Sequence, residues 1–334
     1  MKALIFFGIL AAPLGVFACP GCQNPNLPMA STGGVYLASG EVKLGVGLAA
    51  TVIDVVHEAG CTDTNSCDEV PIQPRYLHDQ RIVPMELRST LEWGVTDRFG
   101  VEVSVPLRIV HTSIEFRDLE GRDYRPLDAD VHHRNETLVG LADPVVGGRL
   151  GLLLGDATWL VARLGVSLPL GRTEPDPFQA GDRGEKHQHI QFGTGTFDPQ
   201  VGLDLARAFG RLQAGAYGQL RAALYENSHG FQAGTRSLVG ARGAWRFGQR
   251  FVAGLSLEWL RDGPEHWSGA VRQDGLLGRH EVLVGLGTSV SFGGPQYSLL
   301  LRAPVYRDII LGDEDHGGDL SAPLAGSFDV QWSF

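Results

Sequence analysis

Apolar and polar residues alternate one for one along most of this chain. In the last stretch Phe328, Val330, Trp332 and Phe334 fall on one face, and Ser327, Asp329, Gln331 and Ser333 on the other. Period-2 alternation is the pattern of a β-strand with one apolar and one polar face. It recurs upstream. Over 35–55, Val42, Leu44, Val46 and Leu48 oppose Lys43 and two glycines. Over 81–95, Leu87, Leu91 and Trp93 oppose Glu86, Arg88 and Glu92; over 99–117, Val101, Val103, Val105 and Leu107 oppose Glu102 and Arg108. The next two strands set leucines and valines against Arg149 and Arg163. Asp198 and Asp204 lie opposite Val201, Leu203 and Leu205, and Arg221 lies opposite Leu212 and Leu220. Arg242 and Arg246 face away from Val239, Trp245 and Phe247, and Glu258 from Leu255, Leu257 and Trp259. Glu281 opposes Val282, Val284 and Leu286, Arg302 opposes Leu299 and Leu301, and Asp329 sits on the polar face of the final strand.

About twelve strands result, an even number, joined by links that alternate in length. Near 97, 155, 210, 248 and 294 the links are tight; near 65, 127, 182, 230, 267 and 314 they are long and mostly polar. A soluble sandwich explains the alternating strands but not the alternating links, and its apolar faces need a partner sheet. A barrel closed in lipid explains both, because closure pairs every backbone group and leaves no edge. The expectation is an all-β, single-domain transmembrane antiparallel barrel over 35–334, with both ends on the tight-turn, periplasmic side.

Composition narrows the rest. The chain has 334 residues, 45 of them Gly, and a formal net charge of −10. That charge, without a basic stripe, excludes a general nucleic-acid binder. The start, MKALIFFGILAAPLGVFAC, has a lysine, an apolar run and a small-residue cleavage site, so residues 1–18 read as a secretory signal. Residues 19–34 carry CPGC and then a Pro- and Gly-rich stretch, a periplasmic lead-in or a plug rather than a domain. Export implies an oxidising compartment, and sequence order favours a Cys61–Cys67 disulfide in an external loop.

The inferred inner face mixes both charge signs. Such charges pair or are hydrated, so the interior is either a filled, salt-bridged core or a narrow passage for a small solute. Candidate metal ligands are Cys19 and Cys22 in CPGC, which serve equally as a small disulfide, a redox tether or a plain tail. His187 and His189 in KHQH are a second pair, with His132, His133 and the acidic run 313–316 on other loops. Solvated polar loops are the simpler account of these. His111-Thr112-Ser113 resembles the His/Ser arrangement of outer-membrane phospholipase A, but no Asn follows at that family's spacing. No enzyme activity and no cofactor are expected.

Two further resemblances bear on function. The terminal Phe334 is similar to the closing residue of outer-membrane barrels as a group, which implies recognition by the barrel-assembly machinery and a place in the bacterial outer membrane. Asp143, Leu168-Pro169-Leu170-Gly171 and Gly193-Thr194-Gly195-Thr196-Phe197-Asp198 resemble motifs of the outer-membrane family associated with the meta-pathway of phenol degradation. The resemblance implies a barrel in the lipid bilayer that passes small, often hydrophobic or aromatic solutes. The alternative is a non-transporting binding or scaffold barrel with a metal- or redox-linked CPGC.

Overall fold

The computed structural model describes residues 24–29, 37–61, 73–127, 129, 134–155, 157–271, 277–311 and 319–334. The first wall strand is two collinear halves, β1 (Val42–Thr51) and β2 (Ile53–Cys61), followed by β3 (Gln73–Gly94) and β4 (Phe99–Asp118). The fourth is also in halves, β5 (Glu136–Leu141) and β6 (Val145–Leu153), and β7 (Thr158–Ser167) follows. After a short helix, α1 (Pro177–Asp182), come β8 (Pro199–Phe209), β9 (Leu212–Arg221), β10 (Phe231–Gln232), β11 (Arg236–Phe247) and β12 (Phe251–Asp262). Then come β13 (His266–Trp267), β14 (Leu277–Ser291), β15 (Gln296–Leu311), and the last strand, split into β16 (Asp319–Ser321) and β17 (Ala325–Ser333).

Counting split strands once, and leaving out β10 and β13, which pair only with each other, twelve strands form a closed antiparallel ring. Strand β1 pairs with β3 on one side and β17 on the other, from Lys43↔Ser333 to Thr51↔Ala325. Val42 and Phe334 exchange backbone hydrogen bonds of 3.1 and 2.9 Å at the seam. Proline explains two of the breaks: Pro144 and Pro323 have no N–H to give a ladder. Thr51 Oγ donates to the Leu324 carbonyl at 2.8 Å and bridges the second break.

The two faces follow the pleat. Leu91, Val103, Leu164, Leu203, Leu255, Leu286 and Phe328 all point outward and are exposed. In water so large an apolar surface would aggregate; in a bilayer it meets its own solvent. Among the described residues no helix is long and apolar enough to cross a membrane, so the strands do the crossing. At one end Gly210 and Gly248 adopt φ values of 63° and 69° in tight turns, the left-handed conformation that favours glycine. By the turn-length rule that end is periplasmic.

The observed strands differ from expectation at the other end. Strand β3 begins at Gln73 rather than near 81, and β2 runs on to Cys61. A crossing needs only about 9–11 residues, so these stretches stand above the membrane. Their outer face carries ion pairs such as Asp54 with Arg81 and Glu58 with Arg75, and therefore lacks the apolar signature that marks a lipid-facing strand.

Candidate functional site: the barrel interior

The inward charges are organised as pairs that reach over a strand. Glu92 on β3 meets Arg149 on β6 at 2.5 Å, across β4. Glu102 on β4 lies 3.6 Å from Arg163 on β7, across β6. Asp204 on β8 holds Arg242 on β11 with both oxygens, at 2.8 and 2.7 Å, across β9. Glu258 on β12 lies 3.1 Å from Arg302 on β15, across β14. Each long side chain has a glycine beside it on the strand it crosses: Gly100 faces Arg149, Gly147 faces Glu102, Gly215 faces Arg242 and Gly285 faces Arg302. A Cβ would come within 3.3 Å of Arg149 at Gly100 and within 3.5 Å of Glu102 at Gly147. Shorter links complete the set: Glu86 with Arg88, Asp198 with Arg221 at 2.7 Å, and Glu281 with Arg307 at 2.6 Å. Arg246 stands exposed at the periplasmic rim, below the packed interior.

Among the described residues Asp329 is set apart, exposed to the lumen with no arginine or lysine nitrogen within ion-pair distance. Arg108 is its counterpart. It is buried, and donates to the carbonyls of Gln191 at 2.9 Å and Pro25 at 2.5 Å.

Pro25 belongs to the segment Asn24–Met29, which lies inside the barrel. With two prolines in six residues it cannot join the sheet, and its carbonyls need donors from elsewhere. Arginine supplies several N–H groups and no acceptor. Arg279 donates to the Asn26 carbonyl at 2.8 Å, Arg236 to that of Leu27 at 2.6 Å and Arg302 to that of Met29 at 2.8 Å. The Asn24 N–H donates to Glu265 at 3.2 Å. Met29 packs on a buried apolar cluster of Tyr217, Leu238, Leu260 and Leu283. Asp262 neutralises both Arg236, at 2.6 Å, and Arg279, at 3.1 Å. These three were not among the candidate residues, although all share the inward register of β11, β12 and β14.

The link between β7 and β8 closes the other end. It was expected as a solvated charged loop, but its second half turns inward. Ile190 and Phe192 are buried against Ile53, Val55, Ile82 and Val110. The motif residues that carried the family resemblance meet here. Asp143 accepts from the Gly171 N–H at 2.9 Å and the Thr194 N–H at 2.6 Å. Thr194 Oγ lies 2.8 Å from Asp143 and 3.0 Å from Asp198. Glycine is required at Gly171, where a Cβ would come within 2.7 Å of the Gly193 Cα. The motif is thus a latch that ties the inturned loop to the wall. Above it Asp176 caps α1 through the Phe178 N–H at 2.9 Å and faces Ser268 Oγ at 3.2 Å. An aromatic group of Phe178, Phe231 and Trp267 roofs the lumen, the last two rings 4.8 Å apart.

Two cavities border Leu27 and Pro28. The outer one has a volume of about 230 Å³ and is lined by Phe192, Thr194, Phe231, Arg221 and Gln219 among others. The inner one, about 380 Å³, is lined by small residues, Gly45, Gly47, Thr90, Ser298 and Ser327, and by Asp329. Glu86 and Arg88 border both.

Of the candidate metal ligands, His187 and His189 lie among the described residues. His187 and His189 meet edge to face with ring centres 5.2 Å apart, and His189 also packs on Phe178. Burial holds the His187 imidazole below its ordinary value, but among the described residues no group of three or more possible ligands exists. Cys19, Cys22 and Cys67, and with Cys67 the expected disulfide, lie outside the described residues, as do His132, His133 and 313–316. His111 is exposed, and its Nδ1 is 2.9 Å from Thr137 Oγ.

No family model matches the sequence, and no curated protein does. Solved structures are similar in fold. An outer membrane channel from Pseudomonas putida F1 shares 12% identity at a TM-score of 0.57, over 92% of this chain and 100% of that one. A Pseudomonas aeruginosa FadL homologue (TM-score 0.42, 10% identity, 97% and 98% covered) and the P. putida toluene transporter TodX (0.39, 13%, 96% and 98%) are more distant. What the first likeness establishes is the fold, a closed twelve-stranded barrel of the outer-membrane kind.

Proposed function

We propose that the protein is an outer-membrane channel for small, partly apolar solutes, closed at rest by its own segment Asn24–Met29. One observation carries this reading. A single lumen holds two cavities, and bordering both is a piece of chain held only by hydrogen bonds and packing. The barrel of similar fold from P. putida F1 is a channel. The solute class follows from the lining. Phe192, Phe231, Leu27 and Met29 offer apolar contact, while most neighbouring charges, Arg108 and Glu265 apart, are paired with one another. A strongly charged solute would have to break those pairs; a small molecule with an apolar body would not.

The clamp suits release. Arg236, Arg279 and Arg302 keep their carboxylate partners Asp262 and Glu258 when the segment leaves, so no unpaired charge is created there. Entering water replaces the lost carbonyls. Arg108 loses the Pro25 carbonyl without a carboxylate to fall back on, and keeps the Gln191 carbonyl.

Planar-bilayer conductance and liposome swelling, on the full chain and on a variant lacking residues 24–29, test the proposal. The full chain should show small, flickering conductance, and the deletion a stable and severalfold larger one. Silence from both, with the barrel folded, would favour a scaffold or binding barrel instead.

A further inference from the structure

The periplasmic rim carries four arginines unlike those of the interior. Arg207 is near the end of β8 and Arg211 follows Gly210 in the next turn; Arg246 is near the end of β11 and Arg250 closes the turn after it. All four are exposed; Arg207, Arg211 and Arg250 form the cluster, and Arg246, on the inward register of β11, borders it at the rim. Strands β8, β9, β11 and β12 are successive neighbours in the wall, and the Arg246 N–H donates to the Arg211 carbonyl at 2.9 Å, so the two turns lie side by side. At about 4.8 Å per strand the cluster spans roughly 15 Å.

Three facts set it apart. The chain as a whole is acidic, with a net charge of −10. Interior arginines such as Arg149, Arg221 and Arg242 each hold a carboxylate, whereas among the described residues none of these four has one in ion-pair range. Finally, the same strands present Phe209, Trp245, Phe247 and Phe251 outward and exposed. The Arg207 guanidinium sits 5.0 Å above the Phe209 ring, and Phe247 and Phe251 are 5.6 Å apart. Outward aromatics at the end of a barrel strand mark the boundary between acyl chains and headgroups. The arginines therefore stand at the height of lipid phosphates, and the guanidinium fork matches phosphate oxygens.

We propose that this corner is a binding surface for anionic phospholipid headgroups of the periplasmic leaflet. The aromatic band favours a lipid over a soluble acidic protein, because the patch continues directly into acyl-chain territory. Anionic lipid adds net negative charge that a zwitterionic headgroup lacks, and an unneutralised basic cluster selects for it.

The test is native mass spectrometry of the full-length protein released from nanodiscs of equal phosphatidylglycerol and phosphatidylcholine. Retained lipid should favour phosphatidylglycerol severalfold. The triple variant Arg207→Gln, Arg211→Gln, Arg250→Gln should bring the ratio near parity, and Arg250→Gln alone should give an intermediate value. Arg75→Gln with Arg117→Gln, at the opposite end, should leave the preference intact; heat-modifiability on gels checks that each barrel is folded. A wild-type protein without preference, or a folded triple variant that keeps it, overturns the proposal. So does full displacement of the lipid by inorganic phosphate at equal concentration, which would make this a simple anion site. Tight binding of soluble polyglutamate without lipid preference would assign the cluster to a protein partner and overturn it equally.

Discussion

On β14, Leu286 looks into lipid while its neighbour Gly285 faces Arg302 across the inner surface. The two positions obey different rules. Leu286 needs no particular partner, since any apolar side chain of similar size meets the same solvent. The inner position serves a pair, because Arg302 must pass over it to reach Glu258 on β12. The outer face is thus built from residues that act singly, and the inner face from residues that act in twos and threes. Substitutions outside should add; substitutions inside should couple.

The sharpest way to break this contrast is Glu258→Ala. Glu258 is 1% exposed and also accepts from Tyr217 at 2.5 Å. Removing one member of a buried pair strands the other, at a cost of about 3–5 kcal/mol. Adding Arg302→Met should restore much of the loss in urea titrations of the reconstituted barrel. Additive losses would mean that the inner face, like the outer, works one residue at a time.

Next in size is Leu286→Arg, expected to cost about 2–4 kcal/mol near the midplane. Paired with Leu255→Ala, opposite on β12, it should show only the modest coupling of two side chains bathed by the same lipid. The same arginine at Gln331, on the wall of the inner cavity, should be nearly neutral in the same assay.

This division also explains what was legible in the sequence. Outward residues such as Val103, Leu203 and Phe328 announce themselves by period 2 alone, so the strand count and the closed barrel could be read directly. Which charge meets which could not. Glu92 and Arg149 are joined through a strand neither belongs to, and only the register of β3, β4 and β6 brings them together. The inward glycines Gly100 and Gly147 were the available signal, since each lies against a long side chain that crosses its strand. The segment Asn24–Met29 has no periodicity, and its arginine partners are 83 to 273 residues away. Latch residues Asp143 and Thr194 were visible as a motif, but not as a contact.

A third prediction concerns the top of the clamp. Glu265 lies beyond the end of β12, buried, bonded to the Asn24 and Trp267 N–H groups and without a cation in ion-pair range. Burial raises its carboxyl to about 7 from 4.5, against the smaller opposing effect of the two hydrogen bonds. The folded protein therefore binds this proton more tightly than the unfolded chain does. The resulting stability is full below about 4.5 and is lost as pH rises to about 7, beyond which the Glu265 contribution is flat. Melting temperature in detergent should fall across that window, and Glu265→Gln should flatten the fall. An unchanged slope in the variant would assign it to another group.

The smallest expected effect tests whether pairing extends to the whole inner face. Asp329 lines the inner cavity without a neutralising arginine, whereas Asp204 is held by both oxygens against Arg242. An unpaired carboxylate in a narrow lumen favours cations, while a paired one contributes little field beyond its partner. Under a potassium chloride gradient the reversal potential should show a mild cation preference in the variant lacking residues 24–29. Asp329→Asn should reduce that preference. Arg242→Gln, by freeing Asp204, should increase it while the barrel still folds, and Arg242→Glu should increase it further. If Asp329→Asn leaves the reversal potential unchanged while Asp204→Asn shifts it, the paired carboxylates set selectivity and the contrast between Asp329 and the rest of the wall has no functional weight.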